Sequence, residues 1–373
     1  MKPIIKWPGG KSGEIKKIEY LIPKYDRYIE PFFGGGALFF HLSPKKALIN
    51  DISKSLTDYY ELIKNQDNQL FRLLINYDKS FLALLSFCNK FYSDILKIYI
   101  KTKEKNYDKE NVISDLKILS KKLIQEFDLN FYNDLLLNKD EFFRQLIETE
   151  TDKIFRVIKL NEKKPLSEDD LKDNLITGFM SGYYMYFRKV YNDINLKRNT
   201  SLSKAYQVAN FYFIREYCYG SMFRYNNNGE FNIPYGGISY NKKILRNKIE
   251  NMFNEEIQGV FQNTKIYCLD FADFFKQIQV TEDDFIFLDP PYDTDFSDYE
   301  NRQFTKDDQI RLANELKKIK AKFILVIKNT DFIRSLYENK FNIISFDNTY
   351  TYNVRGRNKR DVEHLIITNI VNQ

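Results

Sequence analysis

Between residues 61 and 176 apolar side chains recur at three- and four-residue intervals, in stretches such as LFRLLINY and ISDLKILSKKLIQEF, with almost no Gly or Pro. That spacing predicts a series of amphipathic helices. Lys163-Lys164-Pro165 followed by Ser167-Glu168-Asp169-Asp170 predicts a turn and a new helix start. The texture differs on either side. Residues 1–60 are dense in Gly and Pro and read as strands and turns with short helices. A third zone begins near Gly178, passes through a Gly/Asn-rich segment at 226–237, and then alternates apolar runs with helical stretches. KIYCLD, FIFLDPPY, KFILVIKN and HLIITN read as buried strands, and LANELKKIK between two of them suits strand–helix–strand units of an α/β sheet. No internal repeat or low-complexity tail is visible.

Composition narrows the chemistry. The 373 residues can bury a large core, as one long domain or two smaller ones. The net charge of +6 permits an acidic partner without demanding one. The 27 Tyr and 32 Phe accompany abundant Lys, Asn and Ile, so they reflect a biased composition and carry no functional reading. Cys88, Cys218 and Cys268 form no Cys-x-x-Cys pair, and His41 and His364 are the only histidines. A disulfide framework, a thiolate zinc site and a multi-histidine metal centre are therefore not expected. The first residues contain no long apolar stretch and no run approaches a membrane span, so a soluble, cytoplasmic chain without a metal is expected.

Two segments carry chemistry. In Tyr28-Ile29-Glu30-Pro31-Phe32-Phe33-Gly34-Gly35-Gly36-Ala37 a short strand runs into three glycines and then the helical stretch ALFFHL. Glycines at such a junction let backbone approach a ligand, and the helix start offers free N–H groups. About 15 residues later Leu48-Ile49-Asn50-Asp51 is a second strand ending in an acid. That acid is placed either to bind a ribose hydroxyl pair or to cap the helix that follows. The more specific segment is Phe285-Ile286-Phe287-Leu288-Asp289-Pro290-Pro291-Tyr292. Prolines cannot continue a central strand, so they fix a rigid turn at its carboxyl end. The turn gathers a carboxylate, a main-chain carbonyl and an aromatic face. Those are two acceptors for the hydrogens of an exocyclic amine and a surface on which a flat base can stack.

With Phe32-Phe33-Gly34-Gly35-Gly36 ahead of it, this segment resembles the S-adenosylmethionine-dependent amino-methyltransferases, and most closely the Dam-type adenine DNA methyltransferases in their alpha motif order. Lys6-Trp7-Pro8-Gly9-Gly10-Lys11 is similar to that family's N-terminal element, and 223–236 to its Arg-Tyr-Asn-x-x-Gly-x-Phe-Asn-x-Pro-x-Gly segment. Phe304-Thr305-Lys306-Asp307-Asp308-Gln309 and Gly356-Arg357-Asn358-Lys359-Arg360 resemble a later helix start and a basic loop. The resemblance implies an α/β, Rossmann-like methyltransferase core with an inserted, mainly helical target-recognition domain. The core is expected in 1–60 and 250–373, and the insertion with target recognition in 61–249.

It also implies roles. Trp7, Lys11, Phe32, Gly34, Gly36, Asp51 and Asp289 would surround S-adenosylmethionine. Asp270-Phe271 would hold its adenine, unless Asp270 merely caps a helix. Asp289, the Pro290 carbonyl and Tyr292 would take a target adenine flipped out of duplex DNA, for methyl transfer without a covalent enzyme intermediate. Arg224, Asn226 and Pro234 would face DNA; Arg188, Lys189 and Arg215 are of a type that contacts phosphate; Arg357 and Lys359 would sit in a phosphate-contacting loop or a solvated turn. A restriction endonuclease is a candidate partner in the same system. Three departures stand out: Tyr219 is followed by Gly220 where the family has Asn, Ile238 lies where a larger polar contact is expected, and about 100 helical residues have no counterpart. A cytosine 4-amino methyltransferase and a catalytically silent DNA-binding module are the competing readings.

Overall fold

The computed structural model describes residues 1–10, 13–104, 107–291, 304–349 and 361–370. The chain divides into two compact units, Met1–Asn65 with Phe253–Gln373, and Gln66–Met252. In chain order the first part of unit 1 holds α1 (Ile15–Ile18), β1 (Arg27–Glu30), α2 (Ala37–Leu42), β2 (Ala47–Asn50) and α3 (Lys54–Lys64). Unit 2 holds α4 (Asn68–Lys90), α5 (Tyr92–Lys103), α6 (Lys109–Leu123), α7 (Lys139–Lys163), α8 (Glu168–Asn195), α9 (Lys204–Tyr217), α10 (Ile238–Asn241) and α11 (Arg246–Met252). The chain then returns to unit 1 with α12 (Glu255–Gln262), β3 (Thr264–Tyr267), α13 (Phe271–Gln277), β4 (Asp284–Leu288) and α14 (Lys306–Leu316). It ends with β5 (Lys322–Lys328), α15 (Asp331–Tyr337), β6 (Asn342–Thr349) and β7 (Asp361–Thr368).

Unit 1 is built on a seven-stranded sheet in the order β3-β2-β1-β4-β5-β7-β6. The pairs from β3 to β5 are parallel, and β7 runs antiparallel between β5 and β6. β4 is buried at every position and β5 at its five central ones, as continuous apolar runs in a two-faced parallel sheet require. Phe271, Phe274, Leu312, Leu316, Ile333 and Tyr337 pack from helices onto Ile286, Leu288 and Leu325. β6 differs. None of its described side chains is buried, so this edge strand carries no continuous apolar signal. The strand order reverses between β1 and β4, and in open α/β sheets ligands bind beyond the strand ends at such a reversal.

Unit 2 is helical, and the third zone read from the sequence begins inside one of its helices. Gly178 lies within α8, where an added Cβ would come 1.8 Å from Glu150 Oε2; at Gly182 it would come 2.9 Å from Leu146 Cα. These glycines serve close packing of α8 on α7 rather than a boundary. The α8 start follows its local chemistry, with the Ser167 side chain accepting from Asp170 N at 3.1 Å. The Tyr and Phe surplus fills this core. Tyr77 stacks on Phe213 at 4.8 Å, and Phe81, Tyr183 and Phe187 surround the pair. Some of the buried hydroxyls are bonded: Tyr206 donates to Leu135 O at 2.6 Å and Tyr183 shares a bond with Ser80 at 2.7 Å. Among the described residues no helix is long and apolar enough to cross a membrane.

Candidate active site

At the carboxyl end of β1 the chain leaves the sheet through Pro31 into Phe32-Phe33-Gly34-Gly35-Gly36. Phe33 N donates to Asn50 O at 2.9 Å, and Gly36 N to Phe33 O at 2.8 Å, closing a tight turn before α2. Gly34 and Gly36 have φ of 49° and 65°, the left-handed region that favours glycine. Space makes the same demand. A Cβ on Gly36 would come 2.5 Å from the Phe33 ring, and one on Gly34 would come 2.9 Å from the Trp7 indole. The Tyr60 hydroxyl donates to Gly34 O at 2.9 Å.

Asp51 closes the loop from the β2 side. Its Oδ2 accepts from Gly34 N at 2.8 Å and its Oδ1 from Ser53 N at 2.9 Å. Ser53, not Asp51, caps α3, with its side chain accepting from Leu56 N, so the capping alternative for Asp51 is set aside. Burial raises the Asp51 carboxyl, against the lowering effect of the N–H groups of Ser53, Gly34 and Ile52. The neighbouring Asn50 joins three strand ends. Its amide donates to Pro31 O and Leu269 O, each at 3.0 Å, and its oxygen accepts from Leu269 N at 3.0 Å.

Glu30, the last residue of β1, is 2% exposed and accepts from the Tyr28 hydroxyl at 2.8 Å. Burial pushes its carboxyl well above the ordinary range; the Tyr28 bond opposes this, and the charges of Asp289 and Asp51 add to it. Acids beyond three adjacent strands, Glu30 on β1, Asp51 after β2 and Asp289 after β4, thus influence one another at the reversal of strand order. Sequence reasoning passed over Glu30 and Asn50. Their position directly before the glycine turn and directly before Asp51 was the signal available.

Beyond β3, Asp270 caps α13, its Oδ1 accepting from Ala272 N at 2.9 Å, and it pairs with Arg311 Nη2 at 2.5 Å. The Arg311 guanidinium lies 4.8 Å from the centre of the Phe271 ring. Phe32, Phe271 and Phe304 form a triangle with ring centres 5.5–5.7 Å apart. The structure therefore gathers Phe32, Gly34, Gly36, Asp51 and Trp7 around one loop, with Phe271 joined through Phe32 and Asp289 through the strand ends. Lys11, Tyr292, Arg357 and Lys359 lie outside the described residues.

In unit 2 the segment after α9 is a hairpin. Cys218 bridges Tyr235 and Tyr225 bridges Phe231, both antiparallel. Arg224 is exposed, with Nε donating to Asn232 Oδ1 at 2.6 Å. Asn226 Oδ1 accepts from Asn228 N at 3.0 Å and Glu230 N at 2.9 Å, so this side chain builds the tip of the hairpin. Pro234 is exposed, and its carbonyl accepts from Tyr219 N at 2.9 Å. Gly220 has φ of 63°, which Gly and Asn adopt at least cost; glycine there keeps the turn and omits a side chain.

Three cations read from the sequence as phosphate contacts are otherwise engaged. Arg215 is fully buried: it donates to Met222 O at 3.0 Å and to Ser221 O, and lies 3.9 Å from the Phe223 ring centre. It holds the outgoing arm of the hairpin from inside. Arg188 donates to Ile233 O at 3.1 Å, and Lys189 pairs with Asp193 at 2.7 Å and Glu141 at 3.3 Å.

Comparison with known proteins adds an independent finding. The family description that matches, over residues 7–352, is the D12 class N6 adenine-specific DNA methyltransferase. The chain is 27% identical over 376 residues to the type II methyltransferase M.CviBI of Paramecium bursaria Chlorella virus NC1A, covering 99% of this chain and 100% of that one. It is 28% identical over 389 residues to the type II methyltransferase M.MjaIII of Methanocaldococcus jannaschii, covering 99% of each. A DNA adenine methylase of Vibrio cholerae is 22% identical over 370 residues, covering 96% of this chain and 94% of that one.

Proposed function

The chain belongs to the D12 class of N6 adenine-specific DNA methyltransferases, and from that premise we propose that it uses S-adenosylmethionine to methylate a flipped-out adenine held at Asp289-Pro290. The observation that carries the reading is the Asp51 carboxylate bonded to Gly34 N and Ser53 N, beside Glu30 and Asp289 at the reversal of strand order. The residues fit such a donor. Gly34 and Gly36 let the loop turn tightly against Trp7 and Phe33, which keeps its backbone close to the strand ends, and the Phe32, Phe271 and Phe304 rings offer an apolar face for a purine. When bound, S-adenosylmethionine supplies an electrophilic methyl group on a sulfonium cation. The Asp51 and Asp289 carboxylates favour a cation there, and Lys11 and Asp270 are counted among the residues that bind the donor by family resemblance alone.

Asp289 and the Pro290 carbonyl supply the two acceptors that an exocyclic amine needs. Accepting both hydrogens pulls the nitrogen toward tetrahedral geometry and leaves its lone pair to attack. Asp289 is the base within reach of the proton released afterwards. Tyr292 supplies the stacking face. Rate comes from alignment and from dipoles set in advance. The target amine lies inside a duplex, so the base is flipped out at a cost of a few kcal/mol.

Recognition falls to the hairpin of unit 2, where Arg224 is the side chain suited to bidentate reading of a base edge, with Asn226 and Pro234 shaping its frame. Arg357 and Lys359 contact phosphate. The type II names of two relatives support a restriction endonuclease as partner in the same system, with both acting on DNA in the cytoplasm.

The test is incubation of the protein with labelled S-adenosylmethionine and unmethylated duplex DNA, followed by nucleoside analysis. Label in N6-methyladenine is expected. Label in 4-methylcytosine would move the target, and no label despite measured cofactor binding would overturn the reading.

A further inference from the structure

Asp289-Pro290-Pro291 is short of donors. Neither proline carries a backbone N–H, so the turn cannot fasten itself through the hydrogen bonds that most turns use. Both prolines have φ locked by their rings, and the peptide planes are rigid, which leaves ψ as the soft dihedral at each. A donor from outside that holds a carbonyl of this turn restrains that freedom directly.

The structure supplies one such donor. Gln309, in the second turn of α14, is fully buried, and its Nε2 donates to Pro291 O at 3.0 Å. It shares the buried face of α14 with Leu312, Ala313 and Leu316, where an apolar residue would pack without desolvation cost. Its Oε1 is buried without a hydrogen-bond partner among the described residues, so helix packing alone does not account for an amide here. The helix that carries it is firmly mounted. Thr305 and Asp308 form a capping box at its start, Arg311 pairs with Asp270 one half-turn on, and Phe304 packs on Phe32 and Phe271. Gln309 thus connects a rigid helix to the turn that begins with Asp289.

We propose that Gln309 is a positioning residue for the target amine: through the Pro291 carbonyl it sets the direction of the Pro290 carbonyl and of the Asp289 carboxylate. This rests on the reading that Asp289 and Pro290 accept the amine hydrogens. Gln309 touches neither substrate nor donor, and acts only through the turn.

The test compares wild type with Gln309→Met, which keeps length but has no donor, Gln309→Glu, which keeps shape but donates only when protonated, and Asp289→Ala. For each, the single-turnover methylation rate on unmethylated duplex, the affinity for S-adenosylmethionine and the melting temperature are measured from pH 6 to 9. Gln309→Met is expected to slow single turnover about 10- to 100-fold, the scale of a misplaced reacting group, with cofactor affinity within about threefold of wild type. Gln309→Glu is expected to gain rate relative to wild type as the pH falls, because a protonated carboxyl restores the donor; Gln309→Met gains nothing. A Gln309→Met rate within about threefold of wild type overturns the inference, and so does a Gln309→Glu profile parallel to wild type. If Gln309→Met fails to fold, the Gln309→Glu profile decides alone. Asp289→Ala separates the two levels. If it is active, the reading of the turn itself falls; if it is inactive while Gln309→Met is unimpaired, only the role of Gln309 falls.

Discussion

Glu216 offers a quantitative test of what holds the hairpin in place. It sits near the end of α9, 2% exposed, with Lys243 Nζ at 2.6 Å from Oε2 and Lys248 Nζ at 2.5 Å from Oε1. Lys243 follows α10 and Lys248 lies in α11, so the triad ties the helix before the hairpin to the chain after it. Burial raises the Glu216 carboxyl, but Lys248 and Lys243 lower it further, and the net result is about 2 against an ordinary 4.5. At about 1.4 kcal/mol per pH unit, this corresponds to about 3 kcal/mol of stability. Because the folded value is depressed, the contribution is complete above about pH 4.5 and is lost as the pH falls toward 2. Glu216→Gln should therefore destabilise the protein by about 3 kcal/mol at pH 7, lowering the melting temperature of unit 2 by roughly 6–12 °C. The difference from wild type should shrink to roughly half by pH 3. Urea unfolding of both proteins from pH 7 down to the acid limit of the fold measures this. A loss below about 1 kcal/mol that is the same at pH 4 and pH 7 would refute the reasoning. It would mean that both lysines are solvated and that the triad is worth no more than a surface pair.

Asp289→Ala should abolish methyl transfer and weaken cofactor binding while leaving the melting temperature near wild type, as read by labelled-methyl incorporation and titration; near-normal activity would remove its proposed role. Arg224→Ala should lose about 1–3 kcal/mol of discrimination at one base pair in competition binding against single-base variants of the site. Equal weakening on every sequence would make it a phosphate contact. Gly178→Ala should destabilise unit 2 by about 1–3 kcal/mol, because the new methyl meets Glu150 and Lys153 Cβ across the α7–α8 contact. Glu150→Ala in the same chain should restore much of that loss, and calorimetry of the single and double variants checks it.

Local chemistry was legible in the sequence. The apolar run of β4 ends at Asp289 because two prolines forbid a further strand residue, and the α8 and α14 starts follow from Ser167 and Thr305 with acids three residues on. Each of these depends on residues within a few positions of one another. The tight turn at the glycines of 34–36 was legible for the same reason, and the motif order pointed to the family. What depended on distant neighbours was not legible. Asn50 gains its meaning from Leu269, 219 residues away, and Glu30 from lying where β1 meets β2 and β4. Gln309 gains its meaning from Pro291, 18 residues away, and Arg215 reads as a surface cation until α9 turns it inward beneath Ser221 and Met222. β6 escaped because an edge strand, buried at none of its described positions, needs no apolar run. Periodicity and turn chemistry are short-range and are written in the chain. Which strand ends meet, and which polar groups are buried together, is decided only when the sheet order is set.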